Sequence, residues 1–266
     1  MESKELDLDY STFWYGLTNI VLSISLLILN VIFIIAIRWH KNFAEWTSYH
    51  IMFLVISSDI IQLISHTFAG VSLMLKWDMP ILLNVFLASV LSAAWISTDI
   101  YCVLILAHRL LSVAFPLHEL KYFHGKRKTV IFVLVNLPFL IIAIIQWTNW
   151  SLFKFHRSKY SWNYDQSFLM GRILYFIDCY SMTPLVMCSI ICYPAINRSL
   201  KAKGVKKRGG IFAKLVNIYI VCCVINFITW RVLEQFHLEP IMYFWKNLSW
   251  ILWNGSYPLF SICLKK

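Results

Sequence analysis

Seven long apolar stretches, each nearly free of charged residues, follow one another along the chain. Each is close to the roughly 20 residues that a helix needs to cross a bilayer. The pattern therefore predicts an all-α fold, a seven-transmembrane helix bundle that forms one domain over residues 1–266. The predicted membrane-spanning helices, called spans 1 to 7, cover residues 13–37, 48–74, 80–107, 129–149, 171–196, 212–231 and 246–264.

The composition is that of a chain embedded in a bilayer. Of its 266 residues, 59% are hydrophobic and only 14% are charged, whereas a soluble domain has about 45–50% apolar and about 25% charged residues. These values exclude a disordered chain, a secreted disulfide scaffold and a typical cytosolic enzyme. We expect a multi-pass protein of the plasma membrane, in contact with the lipid bilayer.

Positive charge is concentrated on one side of the predicted bundle. The formal net charge is +11, which in a soluble protein would suggest binding to nucleic acid. Here 16 of the 24 Lys and Arg residues lie in the gaps after spans 1, 3 and 5, in the first turn of span 6 and in the C-terminal tail. Cytoplasmic loops carry such an excess of positive charge. The pattern predicts an extracellular N-terminus, a cytoplasmic C-terminus and no nucleic-acid partner.

A candidate glycosylation site fits this orientation. Asn149 begins an Asn-Trp-Ser sequon at the external end of span 4 and is a candidate for glycosylation.

The seven cysteines all lie within or at the edge of apolar stretches and form no CxxC pair. We therefore expect buried free thiols and no metal site.

Three spans contain a carboxylic acid, and an acid in hydrocarbon should face the bundle and have a partner. Asp59 of span 2 has Asn30, Thr98 and Asn254 as expected neighbours from spans 1, 3 and 7. An acid surrounded by hydroxyl and amide oxygens can hold a sodium ion or a proton. The alternative is a neutral, protonated acid that makes one hydrogen bond between helices. Asp99 and Asp178 in spans 3 and 5 could each be satisfied by a neighbouring Ser, Thr or Tyr, and Asp178 could instead face a cavity open to the exterior.

Prolines are expected to bend three of the spans. Pro138, Pro184 and Pro258 lie in spans 4, 5 and 7. Because proline has no backbone N–H, each leaves a carbonyl oxygen without its helical partner and favours a kink.

Several of these residues also fit the motifs of one receptor family. Asn30 and Asp59 match the polar residues of its first two helices, Arg109 matches the arginine at the inner end of its third helix, and Pro184 and Pro258 match prolines of its fifth and seventh helices. Together with the seven spans and the external N-terminus, they resemble a rhodopsin-like G-protein-coupled receptor over the whole chain.

The chain also departs from the pattern of this family. In the Asp-Arg-Tyr motif, His108 replaces the acid and Leu110 replaces the tyrosine. Tyr219–Cys222 matches only the start of the helix 6 switch motif, and Tyr257–Ser261 keeps only the proline of Asn-Pro-x-x-Tyr. The usual disulfide between the top of helix 3 and the second external loop is missing, because neither region has a cysteine.

One segment is more specific. Residues 102–116, with the sequence CVLILAHRLLSVAFP, are similar to the helix 3 signature of the Srx and Srt classes of nematode serpentine chemoreceptors. Residues 120–126 and 160–165 also suit the Srx class. The resemblance implies a chemosensory receptor for a small, hydrophobic or volatile ligand.

The resemblance also implies where the ligand and the G protein bind. Counting helical turns outward from Arg109 places Leu91, Ser92 and Trp95 of span 3 toward a pocket in the outer half. Tyr175, Asp178 and Trp230 of spans 5 and 6 are expected to face them. Arg109, His108 and Tyr193 are expected at the inner face, where a heterotrimeric G protein would bind. Because Arg109 has no adjacent acid to restrain it, the resemblance predicts high basal activity.

Other classes of protein fit less well. A receptor remnant that folds but does not signal fits the altered motifs equally well. A transporter or channel would need a polar path or repeats, and the spans show neither repeats nor a Lys or Arg residue within the membrane. An enzyme is not expected, since His66 and His108 lie near opposite faces and no HExxH or GxSxG motif occurs. No cofactor is expected.

Overall fold

The chain is seen in a computed structural model that describes residues 2–39, 47–148, 153–202, 221–222, 224–226, 228–230, 232 and 240–263. Side chains are described from residue 11 onward, except at residues 201, 240, 241 and 260–263. The described residues form nine α-helices of defined bounds and one β-hairpin. The helices are α1 (Glu2–Trp39), α2 (Thr47–Met74), α3 (Ile81–Ala114), α4 (Pro116–Tyr122), α5 (Gly125–Thr148), α6 (Leu169–Tyr180), α7 (Met182–Ala202), α8 (Pro240–Asn254) and α9 (Ser256–Cys263).

Five helices within the described residues are long and apolar enough to cross a membrane: Ser11–Trp39, Thr47–Met74, Ile81–Ala114, Gly125–Thr148 and Leu169–Leu200. They correspond to predicted spans 1 to 5. Most of span 6 lies outside the described residues, and the parts that are described are helical. Span 7 is described as α8 and α9.

Helix α3 is the central element of the bundle. It packs against α2, α5 and α7, and its side chains are buried along most of its length, from Val85 to His108. The helix runs seven residues further than predicted, to Ala114, where Pro116 begins α4. Because α3 is 34 residues long, it carries residues of the outer cavity near one end and residues of the inner surface near the other, as described below.

Helices α1 and α2 approach each other at a pair of glycines. A Cβ atom added to Gly16 would lie 2.5 Å from the backbone nitrogen of Met74 and 2.7 Å from the carbonyl oxygen of Gly70. Small residues allow the backbones of membrane helices to come this close.

Span 5 was predicted as one helix over 171–196, and this prediction is wrong in detail. The structure divides it into α6 and α7 at Ser181. Pro184 lies in the first turn of α7 and has no N–H to donate to the carbonyl of Tyr180, so the helical hydrogen bonding is interrupted there. A second proline, Pro194, lies inside α7, as Pro138 lies inside α5.

Span 7 is also interrupted. It was predicted over 246–264, but α8 begins at Pro240, and a turn at Gly255 separates it from α9. Pro258 cannot donate to the carbonyl of Asn254, which explains the break. The earlier start moves Lys246 from the expected helix end to a position nearly two turns inside the helix.

A β-hairpin between α5 and α6 was not predicted. Strand β1 (Phe153–His156) pairs antiparallel with β2 (Ser161–Tyr164), with Phe155 opposite Trp162. The turn is a short 3₁₀ segment, Arg157–Lys159, followed by Tyr160 at φ 51°. Both strands are rich in aromatic residues, which favour extended structure. The hairpin contacts α3 and α8 and lies across the end of the bundle at which α3 begins. This end is called the outer end, because the distribution of Lys and Arg predicts that it is extracellular.

Candidate functional site

A cavity of about 70 Å³ lies between the hairpin and the outer half of the helices. Residues from β1, β2, α3, α6 and α8, together with the described part of span 6, surround it. Its lining consists of Ser92, Trp95, Phe153, Trp162, Asn163, Tyr164, Gln166, Tyr175, Asp178, Trp230, Lys246 and Trp250.

The hairpin forms the outer wall of this cavity, and its Tyr164 is hydrogen-bonded to α3. The hydroxyl oxygens of Tyr164 and Ser92 lie 2.9 Å apart, and the amide of Gln146 donates to the Ser92 hydroxyl at 3.3 Å. Burial, and next the nearby negative charge of Asp178, raises the pKa of Tyr164 well above its ordinary value. The phenol is therefore neutral at physiological pH and can donate a hydrogen bond.

Contacts away from the cavity hold the hairpin in place. The side-chain amide of Asn84 on α3 makes two hydrogen bonds with the backbone of Phe155. The hydroxyls of Thr12 and Tyr160 lie 2.8 Å apart, and Asn247 on α8 donates to the carbonyl of Tyr160. Three helices thus fix the position of the cavity wall.

The inner side of the cavity is a cluster of tryptophans. Trp95 of α3 lies with its ring centroid 4.9 Å from those of Trp250 and Trp253 and 6.3 Å from that of Trp230. Trp230 and Trp250 are 5.2 Å apart and nearly perpendicular. Edge-to-face aromatic pairs are stabilised by about 0.5–1.5 kcal/mol beyond their buried area. Movement of one ring requires the others to repack.

Two groups of opposite formal charge also line the cavity. Lys246 of α8 is only 5% exposed, and its ammonium lies 4.0 Å from the centroid of the Trp230 ring. Asp178 comes from α6. The sequence prediction that the spans contain no Lys or Arg is therefore wrong at Lys246.

Most of the pocket residues expected from the sequence come together at this cavity. Ser92, Trp95, Tyr175, Asp178 and Trp230 all line it. Leu91 is fully buried but is not among the lining residues.

A chain of hydrogen bonds leads inward from the tryptophan cluster. The indole N–H of Trp250 donates to the side-chain oxygen of Gln62 at 2.6 Å, and the Gln62 amide donates to the hydroxyl of Thr98 at 3.3 Å. Thr98 in turn donates to the carbonyl of Ala94. From the sequence, Thr98 is expected beside Asp59, and Gln62 has no predicted role. Gln62 lies close to one helical turn from Asp59 on α2.

The other polar residues predicted for the bundle core are fully buried. The Asn30 amide donates to the carbonyl of Leu26 at 2.9 Å and to that of Asn254 at 3.1 Å. Among the described residues, neither carboxyl oxygen of Asp59 has a hydrogen-bond partner, and the side-chain amide of Asn254 has none.

At the inner end of α3, His108 connects two other elements. Its Nδ1 lies 3.1 Å from the hydroxyl of Ser48 on α2, and its Nε2 lies 3.3 Å from a carboxyl oxygen of Glu119 on α4. The neighbouring Arg109 is half-buried and lies near the phenols of Tyr49 and Tyr257.

The remaining predicted residues are less informative. Tyr193 is half-buried on α7. Asn149, the candidate glycosylation site, lies outside the described residues. Cys102, Cys179, Cys188, Cys192 and Cys222 are free thiols, and three of them are buried.

A larger depression of about 470 Å³ lies on the outer surface, near Thr12 and the hairpin turn. It is open to solvent, and its Arg157 is paired with Asp78 at 3.2 Å. The enclosed cavity surrounds a small molecule more completely, so we place the candidate site there.

The helices, their order and the cavity in the outer half define a polytopic membrane protein with the rhodopsin-like seven-transmembrane fold. A crystal structure of squid rhodopsin superposes with a TM-score of 0.75 at 14% sequence identity, covering 97% of this chain and 84% of the squid chain. No protein-family model matches the sequence, and no curated protein matches it either.

Proposed function

We propose that the protein is a G-protein-coupled receptor that binds a small molecule in the outer cavity and signals to a heterotrimeric G protein. The observation that carries the proposal is the enclosed cavity whose tryptophan cluster is hydrogen-bonded, through Trp250, to the buried side chains of Gln62 and Thr98. The rhodopsin-like fold supports a receptor rather than an enzyme.

The mechanism follows from the packing of the tryptophans. A ligand shifts the balance between two conformations only if it binds them with different affinity. A molecule that fills the cavity touches Trp95, Trp230 and Trp250 directly, so it favours the arrangement of rings that fits it best. Because α3 carries Trp95 at the cavity and Arg109 at the inner end, movement of α3 would alter the surface offered to a G protein.

The buried polar core supplies a second element of the proposal. Asp59, Asn30 and Asn254 are fully buried and present side-chain oxygens without a protein partner among the described residues. We propose that a sodium ion or a proton bound at Asp59 stabilises one of the two conformations.

The proposal that the ligand is a chemosensory signal rests on residues 102–116 and their similarity to nematode serpentine chemoreceptors. The extracellular N-terminus and the plasma-membrane location rest on the distribution of Lys and Arg. The polar lining of the cavity favours a ligand more polar than the hydrophobic or volatile one that the sequence suggests.

The test is nucleotide exchange on G proteins without ligand, in cells that express the wild type or Arg109→Glu at equal surface levels. We expect signal above that of untransfected membranes from the wild type, and its loss in the variant. A wild-type signal equal to background, unchanged by the substitution, would contradict the expected basal activity and favour the non-signalling remnant. Ion flux without G protein would instead favour a transporter or channel.

A further inference from the structure

We propose that the outer cavity binds a small neutral carbonyl compound, such as a ketone, through the indole N–H groups of Trp162 and Trp230. The inference rests on the proposed function, since it takes the cavity to be the ligand site. The observation behind it is that both tryptophans line the cavity while, among the described residues, neither indole nitrogen has a hydrogen-bond partner.

The two donors belong to different elements that meet at the cavity. Trp162 lies on strand β2, is only 4% exposed and packs its ring against those of Phe153 and Phe155. Trp230 belongs to the described part of span 6, and the ammonium of Lys246 lies over the face of its ring. An indole nitrogen donates a hydrogen bond and cannot accept one, and a buried donor without an acceptor is unfavourable. A ligand oxygen that accepts from these groups therefore contributes to binding.

Other polar groups of the lining already have partners within the protein. The hydroxyl oxygens of Ser92 and Tyr164 lie 2.9 Å apart, and the indole N–H of Trp250 donates to a side-chain oxygen of α2. Further lining residues that interact with other groups of the protein are Tyr175, Asp178 and Lys246. Within the described part of the chain, the buried lining atoms without a hydrogen-bond partner are thus two donors and no acceptor.

This arrangement selects between ligand classes. A carbonyl oxygen has two lone pairs, so it accepts from one indole or from both, and it brings no donor of its own. An alkane leaves both N–H groups unpaired. An alcohol also accepts, but its own O–H then needs an acceptor, and a buried O–H without one is unfavourable. A cavity of about 70 Å³ limits the ligand to a small molecule.

The same contacts allow a ligand to shift the balance between conformations. Both N–H groups are buried in this structure, so an acceptor in the cavity reaches them when the rings turn toward it. The ring centroid of Trp230 lies 6.3 Å from that of Trp95 and 5.2 Å from that of Trp250, so these rings repack when Trp230 turns. A carbonyl compound therefore binds the two arrangements of the rings with different affinity, as a shift of the balance requires.

The experiment uses the full chain, purified and reconstituted in lipid nanodiscs. The probes are small ketones, each compared with the alcohol and the alkane of the same carbon skeleton, as with cyclopentanone, cyclopentanol and cyclopentane. Affinity is measured from the shift in melting temperature, and empty nanodiscs give the correction for partition into lipid. We expect at least one ketone to bind at least fivefold more tightly than its alkane and more tightly than its alcohol.

Three variants of the cavity test the role of the N–H groups. Trp162→Phe and Trp230→Phe each remove a donor and should lower the ratio of ketone to alkane affinity at least threefold. Trp250→Phe is the matched control, since it removes a ring of the lining whose N–H is already bonded to α2. It should weaken both probes and leave the ratio unchanged. Benzothienylalanine, which has sulfur in place of the indole N–H, keeps the size of the ring and should act like phenylalanine at both positions.

The proton resonances of the indole N–H groups report hydrogen bonding directly. The signals of Trp162 and Trp230, assigned from the variants that lack them, should move downfield when the ketone binds and not when the alkane binds. If these signals do not move while the ketone is bound, the indoles are not its donors and the proposal is wrong.

The outcomes separate this inference from the proposed function. If ketone and alkane bind equally, or if the ratio is unchanged in both donor variants, the cavity is a ligand site but the assignment of a carbonyl compound is wrong. If no probe of any class binds, the carbonyl compound is excluded, and the exchange assay with Arg109→Glu still decides whether the protein signals.

Discussion

Asn84 and Phe155 exchange two hydrogen bonds. The side-chain nitrogen of Asn84 donates to the carbonyl of Phe155 at 3.0 Å, and the N–H of Phe155 donates to the side-chain oxygen of Asn84 at 2.8 Å. A carboxamide presents the same donor and acceptor as a backbone peptide, so it pairs with β1 much as another strand would. The pair joins the outer end of α3 to the hairpin between α5 and α6.

Replacing Asn84 should therefore loosen the cavity wall. Asn84→Leu removes both hydrogen bonds and leaves two backbone groups of Phe155 unpaired, at an expected cost of about 2 kcal/mol. Asn84→Asp keeps the acceptor and loses the donor, so its effect should be intermediate. Hydrogen exchange of the Phe155 amide measures this directly. Unchanged exchange in Asn84→Leu would show that the pair does not hold the hairpin.

The contact between α1 and α2 gives a second prediction. Gly16→Ala places a methyl group against the backbone of Gly70 and Met74, and neither helix can yield by rotating a side chain. Overpacking of this kind costs about 1–3 kcal/mol, seen as a lower melting temperature in detergent. Val31→Ile adds a similar volume on an exposed face of α1 and serves as the control. Equal stability of the two variants would contradict the close approach.

The sequence predicts a helix well where the length of its apolar stretch is enough to identify it. Spans 2 and 3 start within a residue of α2 and α3, because about 20 apolar residues have few alternatives to a membrane helix. The position of a break in a helix depends on where the backbone carbonyls that a proline leaves unpaired find other hydrogen-bond donors. Prolines alone therefore suggested bends in spans 5 and 7 but did not locate the breaks at Ser181 and Gly255.

The site was harder to predict than the fold. The helical period places Ser92 and Trp95 on one face, and this much follows from sequence. The hairpin was missed because strands of four residues leave too short a pattern. Lys246 was missed because a charge in an apolar window normally marks the end of a helix. Its burial depends on the position of Trp230, which no local pattern shows.

The hairpin should be less stable at mildly acidic pH because of His156. Burial first, and then the charges of Lys154 and Lys159, lower its pKa, against an opposing effect of Asp165. With the folded pKa below the unfolded value of about 6.5, the unfolded segment binds more protons. The contribution of neutral His156 to the stability of the hairpin is complete above the unfolded pKa and is lost as pH falls toward the folded pKa.

Hydrogen exchange of β1 and β2 at pH 7.5 and at pH 5.5, corrected for the intrinsic rates, measures this effect. We expect less protection at pH 5.5 in the wild type and a smaller difference in His156→Gln. Lys154→Met, which removes one of the charges that lower the pKa, should also reduce the difference. The same pH effect in all three proteins would exclude His156 as its source.

At the inner face, the pair formed by His108 and Glu119 should hold α4 against α3. Glu119→Lys replaces the acceptor with a positive charge next to His108 and Arg109. We expect the amides of α4 to exchange about tenfold faster, corresponding to about 1.4 kcal/mol. The double variant His108→Asp with Glu119→Lys places an acid and a base at the same two positions and should recover most of the protection. Failure of the second change to compensate would argue against a direct interaction.

The hydrogen bond from Asn30 to the carbonyl of Asn254 follows from the position of Pro258. Residue 258 would normally donate to residue 254 in an α-helix, and proline cannot. Asn30 supplies the missing donor from α1. Asn30→Ala should therefore destabilise the bundle by about 0.6 kcal/mol, the average found for hydrogen bonds between membrane helices, and by no more than about 1.7 kcal/mol, the largest value found.

A double-mutant cycle isolates this contribution. Pro258→Ala returns an N–H to residue 258, so the carbonyl of Asn254 regains a helical partner, and Asn30→Ala should then cost less than in the wild type. The second bond of Asn30, to the carbonyl of Leu26, is lost in both backgrounds and cancels in the comparison. Unfolding in mixed micelles gives the four free energies. Additive values would mean that Asn30 does not serve the carbonyl that Pro258 leaves open.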